Sequence, residues 1–456
     1  MLLFVLALGV THELGFWQSG SLLGTARWEA RPADLVQRVS LSLLGVEGNS
    51  DSFGPSISAD GRFVVYLSTA DNLVSDDSNG YQDVFLYDRT ADEISRLTVG
   101  FNGAEADGMS SDAHISRDGR YVVFVSEASN LVASDSNGYA DVFLFDRESG
   151  QIRLVSVAAD GTQGDERSLQ PAITADGRYV SFVSLAENLS EDDDNDVSDV
   201  YVYDGDSGSL EMVSVNNDGE QSNATSKHAA ISADGRYVVY QSKATNLVTG
   251  DGNNMYDIFL RDRQQGVTEL VSRNLEGGVG NLESQRPSIA DDGRFVVFES
   301  WANDLVAQDE NYQSDVFVAD RQAGSMELVS VGNDGQQADH VNGGATISGD
   351  GRYVAFSSLA GNLVTNDGNQ MFDVYVRDRL FGDTRLISIG LNGQAGSGAS
   401  ISPSLSVSGN YIVFDSVATD LVVNDSNERV DVFVFNAPGA AGTASQTIYL
   451  PFASGF

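Results

Sequence analysis

The chain has 456 residues, 41% of them hydrophobic, and carries 66 acidic against 26 basic side chains, a formal net charge of −40. That is enough for one large domain or a few ordinary ones with a sizeable core, and it excludes the basic footprint that nucleic acids or anionic lipid require. With no cysteine, disulfides, thiolate metal sites and cysteine nucleophiles are excluded as well.

The first ten residues, MLLFVLALGV, are apolar. A bilayer needs about 20 such residues, so this run does not span. Residues 1–35 read as a leader, a truncated export signal without a basic n-region or a clean cleavage site. No other segment approaches a transmembrane helix. From Arg38, RVSLSLLGVEGNS matches RLVSVAADGTQGD from Arg153. It therefore reads as a fourth strand plus linker that has lost its first three strands.

A full unit follows. GPSIS (Gly54 to Ser58) is a short strand, and ADGR a tight turn. RFVVYLS (Arg62 to Ser68) is a second strand. An acidic connection leads to DVFLYD (Asp83 to Asp88), and a turn leads to ISRLTV (Ile94 to Val99). The Asp of DGR recurs at 60, 118, 176, 234, 292 and 350, a constant step of 58, and SGN stands at the next position. Seven units result. Their second and third strands are continuously apolar, which means that both faces are covered. The expectation is an all-β fold: a seven-bladed β-propeller of four-stranded antiparallel blades over residues 36–440, with a C-terminal tail at 441–456. A parallel β-helix would need no four-strand cadence. Closure by the N-terminal strand on the outer edge of the seventh blade leaves no free edge. TIYLPF (Thr447 to Phe452) competes for that edge.

ISADGRYVVY, DVFLYDR and LVSV resemble the WD-like β-propeller repeats of the TolB-like family, over about residues 38–436. The resemblance implies an exported protein, secreted or periplasmic, that binds proteins or small ligands through its propeller faces. TolB's separate N-terminal α/β domain has no counterpart in the 37 residues before the ring, so a role in the Tol system is not implied.

Each acidic connection reads D-x-N-x-x-x-D. The triads are Asp77, Asn79, Asp83; Asp135, Asn137, Asp141; Asp193, Asn195, Asp199; Asp251, Asn253, Asp257; Asp309, Asn311, Asp315; Asp367, Asn369, Asp373; and Asp425, Asn427, Asp431. Oxygen ligands two residues apart in a curled loop suit Ca²⁺. Asp and Asn also cap turns without any metal. Both readings stand on sequence alone, with EDDDNDVSD (Glu191 to Asp199) the most acidic candidate.

His114 and His228 fall near the first strands, which line a propeller's channel. No nucleophile elbow, zincin or P-loop motif occurs. The first strands hold mostly Ser, Ala, Pro and Ile, which argues against chemistry in the channel. The expected function is an exported, non-enzymatic and monomeric binding scaffold with calcium-stabilised loops. The alternative is a propeller enzyme of lyase or glycosidase type, with its site in the central channel.

Overall fold

The uninterrupted apolar runs are buried from end to end: Phe63–Ser68 and Asp83–Asp88 each lie wholly out of solvent. In the computed structural model, which describes residues 35–438, these runs are the two middle strands of a four-stranded antiparallel sheet. Seven such sheets form, each ordered inner, second, third, outer. The apolar cores lie between sheets. One cluster joins Phe63, Val65 and Val84 of the first blade to Val122 and Phe124 of the second. Another joins Tyr411 and Val432 of the seventh to Val64 and Phe85 of the first, which closes the circle. Each blade stacks one aromatic pair across its middle strands, from Tyr66–Phe85 to Phe414–Phe433, with centroids 6.0 and 5.7 Å apart.

The N-terminal strand closes the ring. Val36–Arg38 pairs antiparallel with Asp431–Asn436, placing Val36 opposite Phe435. Apart from Leu35, the leader and the tail, with His12 and TIYLPF, lie outside the described residues.

The DGR turn has two causes, only one of them local. Asp60 Oδ1 accepts from Ser58 Oγ at 2.6 Å and from the Arg62 amide at 2.9 Å. Gly61 has φ +72°, and a Cβ there would lie 2.2 Å from the Tyr411 ring of the preceding blade. The glycine thus serves both the left-handed turn and the blade contact. This explains why SGN keeps only the Gly, as Gly409 under Tyr353.

The arginines divide the stitching. The DGR arginine pairs within its blade, as Arg236 Nη2 does with Asp262 at 2.6 Å. The arginine after the third strand reaches the preceding blade. Arg321 lies 4.6 Å from the Tyr237 ring and bonds Glu269 at 2.6 Å.

Strand ends shift from expectation. The outer strand is Glu93–Arg96 rather than 94–99, and the inner strand begins at Ser52. Thr98 has left the ladder because its hydroxyl is bonded to Asp83.

Candidate functional site in the central channel

Every inner strand carries a bulge. Pairing with the second strand breaks between Phe53 and Ser56 and at the six equivalent places. The third residue of each inner strand is left-handed, with φ between +48° and +62°. Those residues are Gly54, Asp112, Gln170, His228, Arg286, Gly344 and Ser402. Such backbone costs a non-glycine residue about 1–3 kcal/mol and clusters at functional sites. Here a position fixed sevenfold in geometry holds six different residue types. Reading along each strand finds mostly Ser, Ala, Pro and Ile. Reading down the 58-residue register finds the variation, and this is how the position could have been found in the sequence.

The bulge frees backbone amides, and side chains satisfy them. Gln170 Oε1 accepts from the His228 amide at 2.9 Å, and Gln241 Oε1 from the Arg286 amide at 2.8 Å. Glu299 Oε1 takes the Gly344 amide at 2.5 Å, and Asp415 Oδ2 the Gly54 amide at 3.0 Å. Gln241, Glu299, Ser357 and Asp415 share one second-strand position, where the first three blades have Leu67, Val125 and Val183. Half of the ring is therefore lined by buried polar groups. Gln241 Nε2 and Ser357 Oγ have no hydrogen-bond partner.

Burial sets the protonation states. It pushes the Asp415 carboxyl up to about 6, against the opposing Gly54 amide and Ser402 hydroxyl. It raises Glu299 as well, with the Arg286 charge acting against it. Burial, then Lys227 and Arg286, push the His228 imidazole down to about 4, so it is neutral at neutral pH. His114 faces the lumen and is reached by water, yet protein encircles it and depresses its pKa too.

The chain's two lysines meet beside this ring. Lys227 Nζ and Lys243 Nζ lie 4.6 and 4.5 Å from the Tyr256 ring, and Lys243 is 3.4 Å from Glu283. At the other end of the inner strands, consecutive blades join by backbone bonds. These include Ala59 N to Arg117 O at 2.9 Å, Asp291 N to Gly349 O at 3.0 Å and Gly349 N to Val407 O at 3.1 Å. Arg117 and Asp291, three blades apart, form an ion pair across this ring. Gly349 leaves the space for it, since a Cβ there would lie 2.5 Å from Asp291 Oδ2. An ion pair thus crosses the channel at its DGR end. Grooves of about 510, 750 and 730 Å³ lie elsewhere, against the outer strands, and involve none of the inner-strand ring.

The acidic triads come together in all seven blades. In the first, Asn79 Oδ1 accepts from the Tyr81 amide at 2.9 Å, and Asn79 Nδ2 donates to Asp83 Oδ2 at 3.0 Å. The same pair of bonds recurs in the other six, for example Asn253 to Asp257 at 2.8 Å. The last aspartate also accepts from a hydroxyl just past the outer strand, as Asp257 does from Ser272 at 2.9 Å. The asparagine thus turns its oxygen to the backbone and its nitrogen to the carboxylate. In Glu191 to Asp199, Gln221 Nε2 donates to Asp193 at 2.7 Å and the Tyr201 hydroxyl to the same carboxylate at 2.5 Å.

No family model and no curated protein matches the chain. Solved structures do. An oligogalacturonate lyase in complex with manganese is similar at 12% identity, covering 89% of this chain and 93% of that one, with a TM-score of 0.54. A prolyl endopeptidase is similar at 13% identity over 88% of this chain and 51% of its own, with a TM-score of 0.52; this chain spans about half of it. A protein described as a TolB of Agrobacterium tumefaciens shares 17% identity over 61% of this chain and 80% of its own, with a TM-score of 0.39. At these identities the likeness shows the fold: the chain is a seven-bladed β-propeller.

The expectation of a non-enzymatic scaffold is corrected. The similar propellers include those of enzymes, an oligogalacturonate lyase and a prolyl endopeptidase. The physical reason is that the inner strands do carry unrepeated polar side chains, at the one position that an averaged reading hides. Among the described residues no three or more His, Cys, Asp or Glu converge as a metal-binding group, so the lyase neighbour's manganese has no matching donor set here. Among the described residues, too, no helix is long and apolar enough to cross a membrane.

Proposed function

We propose that this chain is an enzyme whose active site is the ring of unrepeated side chains in the central channel, and that its substrate is an acidic oligosaccharide. One observation carries the reading: a strained, sevenfold position holds Asp112, Gln170, His228, Arg286 and Ser402 where a scaffold repeat would hold one residue type. The charge distribution supports an anionic substrate. A chain of formal charge −40 gathers Lys227, Lys243 and Arg286 on two adjacent blades. The oligogalacturonate lyase among the similar propellers supports the same substrate class.

The reaction this set suits is β-elimination beside a uronate carboxylate. Arg286 pairs with the carboxylate and stabilises the charge that develops when the adjacent carbon loses its proton. Neutral His228 accepts that proton. The electron pair forms the new carbon–carbon double bond and expels the glycosidic oxygen. That oxygen takes a proton from the acid form of a buried carboxyl whose pKa burial raises, Glu299 or Asp415. Action outside the cytoplasm and as a monomer go with the proposal; the closure of the seventh blade by the chain's own N-terminal strand supports the latter.

The test is the ultraviolet absorbance of the unsaturated uronate formed from oligogalacturonate and related acidic oligosaccharides. Wild type forms product. Arg286→Ala and His228→Ala each lose about 100-fold or more in rate while melting as wild type does. Folded wild type that cleaves none of these substrates refutes the proposal.

A further inference from the structure

The seven acidic triads are geometric copies, but what neutralises them is not. Between the first and last aspartates, three blades insert a glutamine amide: Gln163 Nε2 bonds Asp135 and Asp141 at 2.8 Å each, and Gln221 and Gln337 act alike in the third and fifth blades. The first and seventh blades insert an arginine. Arg96 lies 3.0 Å from Asp77 and 3.7 Å from Asp83, and Arg38 lies 3.1 Å from Asp425 and 3.3 Å from Asp431. In the sixth, Ala395 stands at the glutamine position and the Tyr375 hydroxyl donates to Asp367 instead.

The fourth blade has neither. Val279 occupies the glutamine position, and Phe259 replaces the tyrosine. Asp251 is 8% exposed and Asp257 fully buried, and Asp251 Oδ1 has no hydrogen-bond partner. This is the oxygen whose counterparts accept the glutamine amide in the second, third and fifth blades. A buried, unpaired carboxylate oxygen beside a second buried carboxylate calls for a positive charge. We infer that the fourth blade binds one hard divalent cation through Asp251 and Asp257, at the place where other blades insert a glutamine amide or an arginine. Carboxylate oxygens suit calcium, with water completing the shell; the Gly280 carbonyl lies near the pair, 3.4 Å from the Asn253 Nδ2 that also bonds Asp257. The inference does not depend on the channel reading.

The experiment is calorimetric titration of the chelator-stripped full chain with calcium chloride at neutral pH, alongside thermal melting. Wild type is expected to bind one calcium per chain, with a melting temperature that rises as calcium saturates. Val279→Gln supplies the missing amide; it is expected to abolish binding and to melt above wild type in chelator. Gln163→Val should create a second site. No calcium heat and no shift in wild type would overturn the inference, leaving a proton shared by the pair. Unchanged binding in Val279→Gln, or several equal sites in wild type, would overturn it as well.

Discussion

Gly177 shows how one residue serves two blades. Its φ is +74°, and a Cβ would lie 2.0 Å from the Tyr121 ring of the preceding blade. Gly177→Ala therefore meets both backbone strain and overpacking, and the expected loss is about 2–4 kcal/mol in urea unfolding. The turn was legible in DGR. The aromatic lid was not, because it arrives from a strand 56 positions earlier in the chain. Asp415 makes a second residue-scale case. Burial holds its carboxyl at about 6, above an unfolded value of about 3.9. Between those values the folded chain keeps a proton that the unfolded chain has lost. Stability therefore falls as pH rises from about 4 through about 6, and the loss is complete above that. Asp415→Asn keeps an acceptor for the Gly54 amide and removes the charge. Its expected gain over wild type is on the order of 2–3 kcal/mol at about pH 8 and near zero at about pH 4, read from urea midpoints at each pH.

At the scale of elements, the strands were the most legible feature, because continuous apolar runs and a fixed stride leave few alternatives. Their ends were less so. Ser and Thr hydroxyls such as Thr98 and Ser156 leave the outer strand to bond the last aspartate of each loop, and no pattern within that strand announces it. The closing strand is the most consequential element. Arg38 is 8% exposed and meets Glu47 at 2.8 Å, with Asp425 and Asp431 beyond it. Arg38→Ala strands two buried acids, and the expected cost is about 3–5 kcal/mol. Arg62→Ala, at a pair whose arginine side chain is 44% exposed and screened by solvent, should leave the unfolding midpoint close to that of wild type. Denaturant titration of both variants separates ring closure from ordinary surface pairing.

At the scale of the whole molecule, repetition both revealed the fold and concealed the site. Seven near-copies make any averaged reading of the inner strands look inert. Both proposals rest on departures from the average: Arg286 beside Gly344, Gln241 beside Val183, Val279 where Gln163 sets the pattern. None of these is unusual alone. Each becomes visible only against its six counterparts, and its surroundings only when the sheets are set in a circle. The Arg117–Asp291 pair then governs more than stability. It ties blade two to blade five across the centre of the ring. Under the proposed function, a saccharide entering from the acidic-loop end would meet this tie as a floor, so release of short terminal products is expected over cutting along the length of a threaded chain.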